Sequence, residues 1–95
     1  NKVHINNIVQ YGNKWFKEND DKPFSGTVFD ISEKTGIKIL EYRMIEGQKK
    51  GSHIEWYPDG KVKFKGKYLN NLKNGLFILW NEEERKVFEG TKSAM

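Results

Sequence analysis

Few residues in this chain could do chemistry. His4 and His53 stand 49 positions apart, there is no cysteine, and neither histidine has an Asp or Glu at ligand spacing beside it. Both are therefore read as surface or pairing residues, with no metal site. Asp20-Asp21 and Glu82-Glu83-Glu84 are carboxylate runs in turn-like stretches, and neither follows an EF-hand pattern. The serines have no His–Asp context, and no glycine-rich phosphate loop leads into a helix. No catalytic residue and no cofactor follows from these residues, and an enzyme is the least supported class.

Binding chemistry has more to rest on. Lys61, Lys63, Lys65 and Lys67 alternate with Val62, Phe64 and Gly66. In a regular strand this places four ammonium groups on one face, a basic strip suited to anionic membrane lipids or an acidic protein. The plain alternative is a solvated sheet face, which is how such charge runs are usually used. Trp56, Tyr57, Phe64, Tyr68, Trp80 and Phe88 form an aromatic set whose first role is cross-strand packing. Trp56, Tyr57, Tyr68 and Trp80 are the candidates for a partner-binding surface, with Tyr68 and Trp80 the ones expected to be partly exposed.

These residues are positioned by a hairpin centred on Tyr57-Pro58-Asp59-Gly60. Pro58 presets φ, Asp59 can hydrogen-bond its own backbone, and Gly60 can take the positive φ that closes a three-residue loop. Tyr57 then faces Lys61. Regular pairing backwards from there sets Trp56 against Val62, Ile54 against Phe64 and Ser52 against Gly66 on one face. Glu55 meets Lys63 and His53 meets Lys65 on the other.

The same unit recurs. Gly26, Gly51 and Gly75 lie 25 and 24 residues apart; Gly36 and Gly60, Trp56 and Trp80, Phe64 and Phe88, and Gly66 and Gly90 are each 24 apart. A period in this range signals stacked supersecondary units. The expected fold is all-β, a single antiparallel meander sheet of stacked hairpins. Strands are expected near Thr27–Ser32, Ile37–Ile45, Ser52–Tyr57, Lys61–Leu69, Leu76–Asn81 and Arg85–Thr91. Glu46-Gly47-Gln48-Lys49 and Asn70-Asn71-Leu72-Lys73 serve as return turns whose parity the residues leave open: a two-residue loop places Phe64 beside Phe77, strict repetition puts Ile78 and Trp80 on the Ile54–Trp56 face, and a bulge near Gly51 and Gly75 would reconcile them. Residues 1–95 then form one domain, with a leading segment 1–25 and hairpins 26–50, 51–74 and 75–92. The leading segment reads as short strands around the Gly12-Asn13 turn, with a short helix within Lys2–Gln10 as the alternative. In the third hairpin both faces are apolar, so a cover is expected from this segment, a second copy or a partner.

Several of these stretches in order resemble the MORN (membrane occupation and recognition nexus) repeats, in particular the bacterial variant repeats of the YwqK-type family, often labelled toxin–antitoxin antitoxins. The matching residues are Lys22-Pro-Phe-Ser-Gly26, then Gly51…Trp56-Tyr57-Pro-Asp-Gly60-Lys61, then Tyr68-Leu-Asn-Asn-Leu-Lys-Asn-Gly75 and the weaker Gly75…Trp80-Asn81. Ile31-Ser32 departs from the usual aromatic pair, and Glu84 stands where the turn glycine belongs. The resemblance implies a hairpin-repeat sheet used for binding, of antitoxin or immunity type, and transfers no catalytic residue.

The chain has 95 residues, a net charge of +4, 14% aromatic and 32% charged residues, which suits one small sheet domain with much surface. Its positive charge gathers between Gly47 and Gly75. The expected partner is a protein, with anionic lipid as the alternative and self-association through sheet edges open. Nucleic acid is disfavoured, because no aromatics interleave with the lysines on their face. The chain begins at Asn1, so cytoplasmic and exported, signal-removed locations are both open.

Overall fold

A computed structural model describes residues 1–93. They form strands β1 (Lys2–His4), β2 (Ile8–Tyr11), β3 (Lys14–Lys17), β4 (Gly26–Ile31), β5 (Lys38–Ile45), β6 (Gln48–Trp56), β7 (Val62–Leu69), β8 (Leu72–Lys73), β9 (Gly75–Trp80) and β10 (Lys86–Lys92). One 3₁₀ turn, Ile5–Asn7, joins β1 to β2. The main sheet runs β1-β4-β5-β6-β7-β9-β10, with β8 also paired to β7, while β2 and β3 form a separate hairpin. From β4 onward it is an antiparallel meander; β1 adds in parallel beside β4.

The hairpin tips share one construction. Tyr57 N–H donates to Lys61 O and Gly60 N–H to Tyr57 O, closing the expected three-residue loop with Gly60 at φ 97°. The Asn81 tip repeats both bonds, Asn81 N–H to Arg85 O and Glu84 N–H to Asn81 O, with Glu84 held at φ 66°. The first tip does the same one residue longer, from Ser32 to Ile37. The tips are tied sideways: Thr35 Oγ1 donates to Pro58 O (2.6 Å), and Tyr57 Oη donates to Trp80 O (2.8 Å). At the opposite end, Glu46-Gly47 and Asn70-Asn71 make the two-residue returns, all four with positive φ as such hairpin turns require.

The regular register expected for β6 and β7 holds only at its first pair. Trp56 faces Val62, but Glu55 then faces Phe64, Ile54 faces Lys65 and His53 faces Gly66. Lys63 is an extra residue opposite no partner, a bulge. The same bulge follows the first tip at Ile39, where Ile31 faces Lys38 and Asp30 faces Leu40, and the last tip at Val87, where Lys86 faces Trp80 and Phe88 faces Leu79. These three positions are 24 apart. Each insertion reverses the side-chain alternation once, so Phe64 and Ile54 lie on opposite faces rather than together. Wider irregularities of two residues occur where expected, around Gly51 and Gly75: Met44 faces Lys49 while Tyr42 faces His53, and Tyr68 faces Lys73 while Phe64 faces Leu79.

One face therefore carries Val28, Tyr42, Met44, His53, Phe64, Tyr68, Phe77 and Phe88 across the sheet. The leading segment covers its first half. Val3, Ile8, Phe24, Val28, Tyr42 and Met44 form the buried core, with Ile5, Trp15 and Leu40 packed on it. Backbone bonds fasten this cover to the first return turn: Trp15 N–H to Gly47 O, Gly47 N–H to Phe24 O, and Phe24 N–H to Trp15 O. Gly47 is required there, because a Cβ would come within 3.0 Å of both Lys14 Cβ and Trp15 O.

Candidate binding site

The bulge at Lys63 builds the most polar region of the aromatic face. It turns His53, Glu55 and Lys63 to the same side as Tyr42, Phe64 and Tyr68. His53, expected at the surface, is only 4% exposed. Its ring stacks on Tyr42 (centroids 5.4 Å apart, planes 8° apart) and meets Phe64 edge-on at 5.5 Å and Tyr68 at 5.1 Å. His53 Nε2 donates to Glu55 Oε2 at 3.0 Å, while Nδ1 is buried with no hydrogen-bond partner. That bond, more than the nearby Lys63 and Lys49 charges, holds the Glu55 carboxyl below its usual range against the opposing effect of burial.

Lys49 closes the region from the return-turn end. Its Nζ lies 4.3 Å from the centre of the Tyr42 ring and 4.9 Å from that of Tyr68. Burial lowers its pKa, and attraction to Glu55 only partly restores it. Its backbone is fixed from the next return turn, with Lys49 N–H donating to Asn71 Oδ1 (2.8 Å) and Asn71 N–H to Lys49 O. Lys73, 24 residues on, takes the corresponding place over Phe64 (5.6 Å) and Phe77 (4.9 Å). Between the leading segment and the sheet, Trp15, Asp30, Leu40, Lys49, Trp56 and Lys63, with His53 and Glu55, line a cleft of about 480 Å³. Among the described residues no three His, Cys, Asp or Glu side chains converge as metal ligands.

The expected lysine strip is divided. Lys63 lies on the aromatic face, beside Glu55, Phe64 and Lys73, with its Nζ 5.8 Å from the Tyr57 ring centre. Lys65 and Lys67 line a groove of about 520 Å³ on the opposite face with Ser52, Ile54, Leu76 and Ile78. Lys61 belongs to the tip, where Nζ donates to Glu82 O (3.2 Å) and lies 3.9 Å from Asp59. The physical reason is the single inserted residue, which breaks the alternation that would have aligned them.

The aromatic candidates are divided as well. Trp56, Tyr57, Tyr68 and Trp80 are all half-buried. Tyr68 sits on the aromatic face against His53, and Trp80 borders Val62, Lys65 and Glu84 on the other. Tyr57 and Trp80 do meet, but through the Tyr57 hydroxyl and the Trp80 carbonyl.

The third hairpin has not acquired a cover. Leu72, Leu76, Val87 and Phe88 are each more than half exposed. Val87 and Phe88 belong to β10, which pairs only with β9 and leaves its outer edge unpaired among the described residues. His4, the other histidine, lies beside Asp30, with Nε2 3.2 Å from Oδ1. Comparison with protein-family models, with curated proteins and with solved structures finds no match to this chain.

Proposed function

We propose that the protein is a non-catalytic protein-interaction module built from three MORN-like hairpin repeats, of the kind an antitoxin or immunity protein would use. The observation that carries the reading is the open end of the sheet. A free strand edge, β10, is flanked on one face by Phe88 and on the other by Leu76, each 52% exposed. Unpaired backbone N–H and C=O groups are best satisfied by another polypeptide strand, and side chains on both faces can grip its flanks. The periodic tips, bulges and glycines support the repeat reading.

Attachment to an anionic membrane is the weaker reading. Only Lys65 and Lys67 remain together beside apolar residues. At about 1 kcal/mol per lysine near such a surface, two give about 2 kcal/mol, too little for stable attachment.

The test is capture of a partner from the native host on the tagged chain, starting with the product of the neighbouring reading frame. Val87→Lys places a charge on the open edge, where a surface change should alter stability by no more than about 0.5 kcal/mol. It should abolish capture of a partner that binds the wild-type chain. Undiminished capture by a folded Val87→Lys variant would overturn the edge-binding reading.

A further inference from the structure

We propose that the sheet face opposite the leading segment takes an extended acidic segment of a partner protein, laid along β7 with its carboxylates on Lys65 and Lys67. The proposal rests on the reading of the chain as a protein-interaction module, and adds the chemistry of a partner at a surface other than the β10 edge.

A groove exists on this face because the ladder opens. Strand β7 pairs with β9 at Phe64–Leu79 and Lys65–Ile78, then turns to β8 at Tyr68–Lys73. Asn74 N–H still reaches Lys67 O (2.9 Å), but Leu76 lies past the last β7–β9 pair, and Gly75, at φ 88°, has open space where a Cβ would stand. The result is the space of about 520 Å³ with Ile54, Ile78 and Leu76 as its apolar sides and Ser52 at its β6 flank.

Charge selects an acidic occupant. No carboxylate is among the residues that line the groove. Neither Lys65 nor Lys67 makes an ion pair or side-chain hydrogen bond among the described residues. Lys65 stands at the middle of a row across the sheet, Glu41, Ile54, Lys65, Ile78, Glu89, in which each residue pairs with the next. The carboxylates at its ends are two strands from Lys65, about 9–10 Å away. Each is held by a cation of its own, Glu41 by Lys38 and Glu89 by Lys86. Glu84 borders Lys65 at the tip end and balances at most one of the two lysines, so Lys67 stays unmatched. Arg43, on the same face of β5 as Glu41, is a further cation without an ion pair among the described residues.

Spacing selects an extended segment. Lys65 and Lys67 are two residues apart on one strand, about 7 Å. Side chains on one side of an extended peptide repeat at the same interval, so carboxylates at alternate positions meet both lysines while their methylenes cover Ile54 and Ile78. The bulge at Lys63 makes Val62 the next residue on this face beyond Lys65, and Val62 and Trp80 border Lys65 there. An apolar side chain at the following alternate position of the peptide meets that pair. The facing side of the segment is therefore acidic, acidic, apolar.

The test uses synthetic peptides on the full chain, capped at both ends, with Thr-Glu-Thr-Glu-Thr-Leu-Thr as the matched sequence. One control carries Gln for both Glu. The other, Thr-Glu-Thr-Thr-Glu-Leu-Thr, has the same composition but sets its carboxylates on opposite sides. Binding is followed by NMR of the isoleucine methyls and tryptophan indoles. The matched peptide should shift Ile54, Ile78 and Trp80 and bind about three- to tenfold tighter than either control, a gap that narrows in high salt. Lys65→Gln and Lys67→Gln, both at exposed positions, should each weaken it about two- to fivefold. Lys22→Gln, at an exposed position in the leading segment, should change nothing. The doubly reversed Lys65→Glu, Lys67→Glu chain should lose the matched peptide and take the version with Lys for both Glu. Equal binding of the three peptides, shifts centred on β10, charge reversal that leaves the preference unchanged, or no binding at millimolar concentration would each overturn the proposal. So would tighter binding at these residues by a seven-nucleotide oligothymidylate or by phosphatidylserine vesicles, which would assign the face to nucleic acid or to a membrane. The β10 reading is tested by capture on Val87→Lys and this one by the peptides, so either can fail alone.

Discussion

Glu84→Gly should stabilise the protein, and the amount follows from comparing two tips. The Tyr57 and Asn81 tips make the same pair of backbone hydrogen bonds, and their corresponding residues Gly60 and Glu84 lie at φ 97° and 66°. A non-glycine residue in this left-handed region costs about 1–2 kcal/mol relative to glycine. Introducing glycine also frees the unfolded chain, which offsets about 0.4–1 kcal/mol of the gain. The expected net is about 0.5–1 kcal/mol. For a domain of this size that raises the thermal midpoint by roughly 2–8 °C, measured by circular dichroism. Glu84 also borders Lys65, so Glu84→Ala is the control that removes the carboxylate while keeping a Cβ. If Glu84→Gly is no more stable than Glu84→Ala, the assignment of strain to this turn is wrong.

Two other changes probe the aromatic face. Gly66 has ordinary φ, but a Cβ there would meet Phe77 Cβ at 3.0 Å and Phe64 Cζ at 3.1 Å, both atoms of buried side chains. Gly66→Ala should therefore cost about 1–3 kcal/mol by overpacking. Gly90→Ala should cost less, because one of the rings it meets, Phe88, is half exposed and can swing away; equal losses on urea unfolding would refute the packing account. Glu55→Gln tests the His53 contact through pH. A carboxyl held below its unfolded value adds stability that is complete above about pH 4.3 and is lost as pH falls through the folded value. The variant should thus lose less stability than wild type between pH 5 and pH 3, by a modest amount because the group is partly exposed. An identical acid limb in urea titrations would count against it.

The strands, tips and places of the return turns were legible because their chemistry is local: Pro58-Asp59-Gly60 specifies a three-residue loop wherever it sits, whereas Asn70-Asn71 marks a tight return without fixing its length. The irregularities at Gly51 and Gly75 followed from requiring two registers to agree. What escaped was the bulge after each tip. Nothing in Lys61-Val-Lys-Phe-Lys marks Lys63 as an extra residue, and strict alternation there sent His53 to the surface and Ile54 to the side of Phe64. A signal was present at the level of the period. His53 corresponds to Val28 and Phe77, and Lys63 to Ile39 and Val87, so the first belongs to an apolar position and the second does not belong to a lysine strip. The leading segment was one of the covers expected for the third hairpin; that it covers the first half of the face instead depends on the backbone bonds that join Trp15 and Phe24 to Gly47.

The same correspondence separates what the fold needs from what it merely tolerates. At the positions of His53, Glu55 and Lys63, the last hairpin carries Phe77, Leu79 and Val87 on the same backbone with the same bulge. The backbone therefore does not dictate a histidine, a carboxylate or an ammonium at any of the three. Burial is costly for two groups here: His53 leaves a nitrogen unpaired, and Lys49 above it is desolvated, whereas Lys63 is exposed. The first hairpin carries Val28, Asp30 and Ile39 at the same positions, so the acidic residue recurs there, and only the histidine and the lysine are particular to the middle hairpin. The last hairpin shows the opposite solution, an apolar set left exposed on both faces. Pairing of another chain with β10, as proposed above, would cover that set. One architecture thus separates two kinds of surface, a polar cleft under the cover and an apolar edge beyond it, by changing side chains at matched positions and leaving the backbone alone.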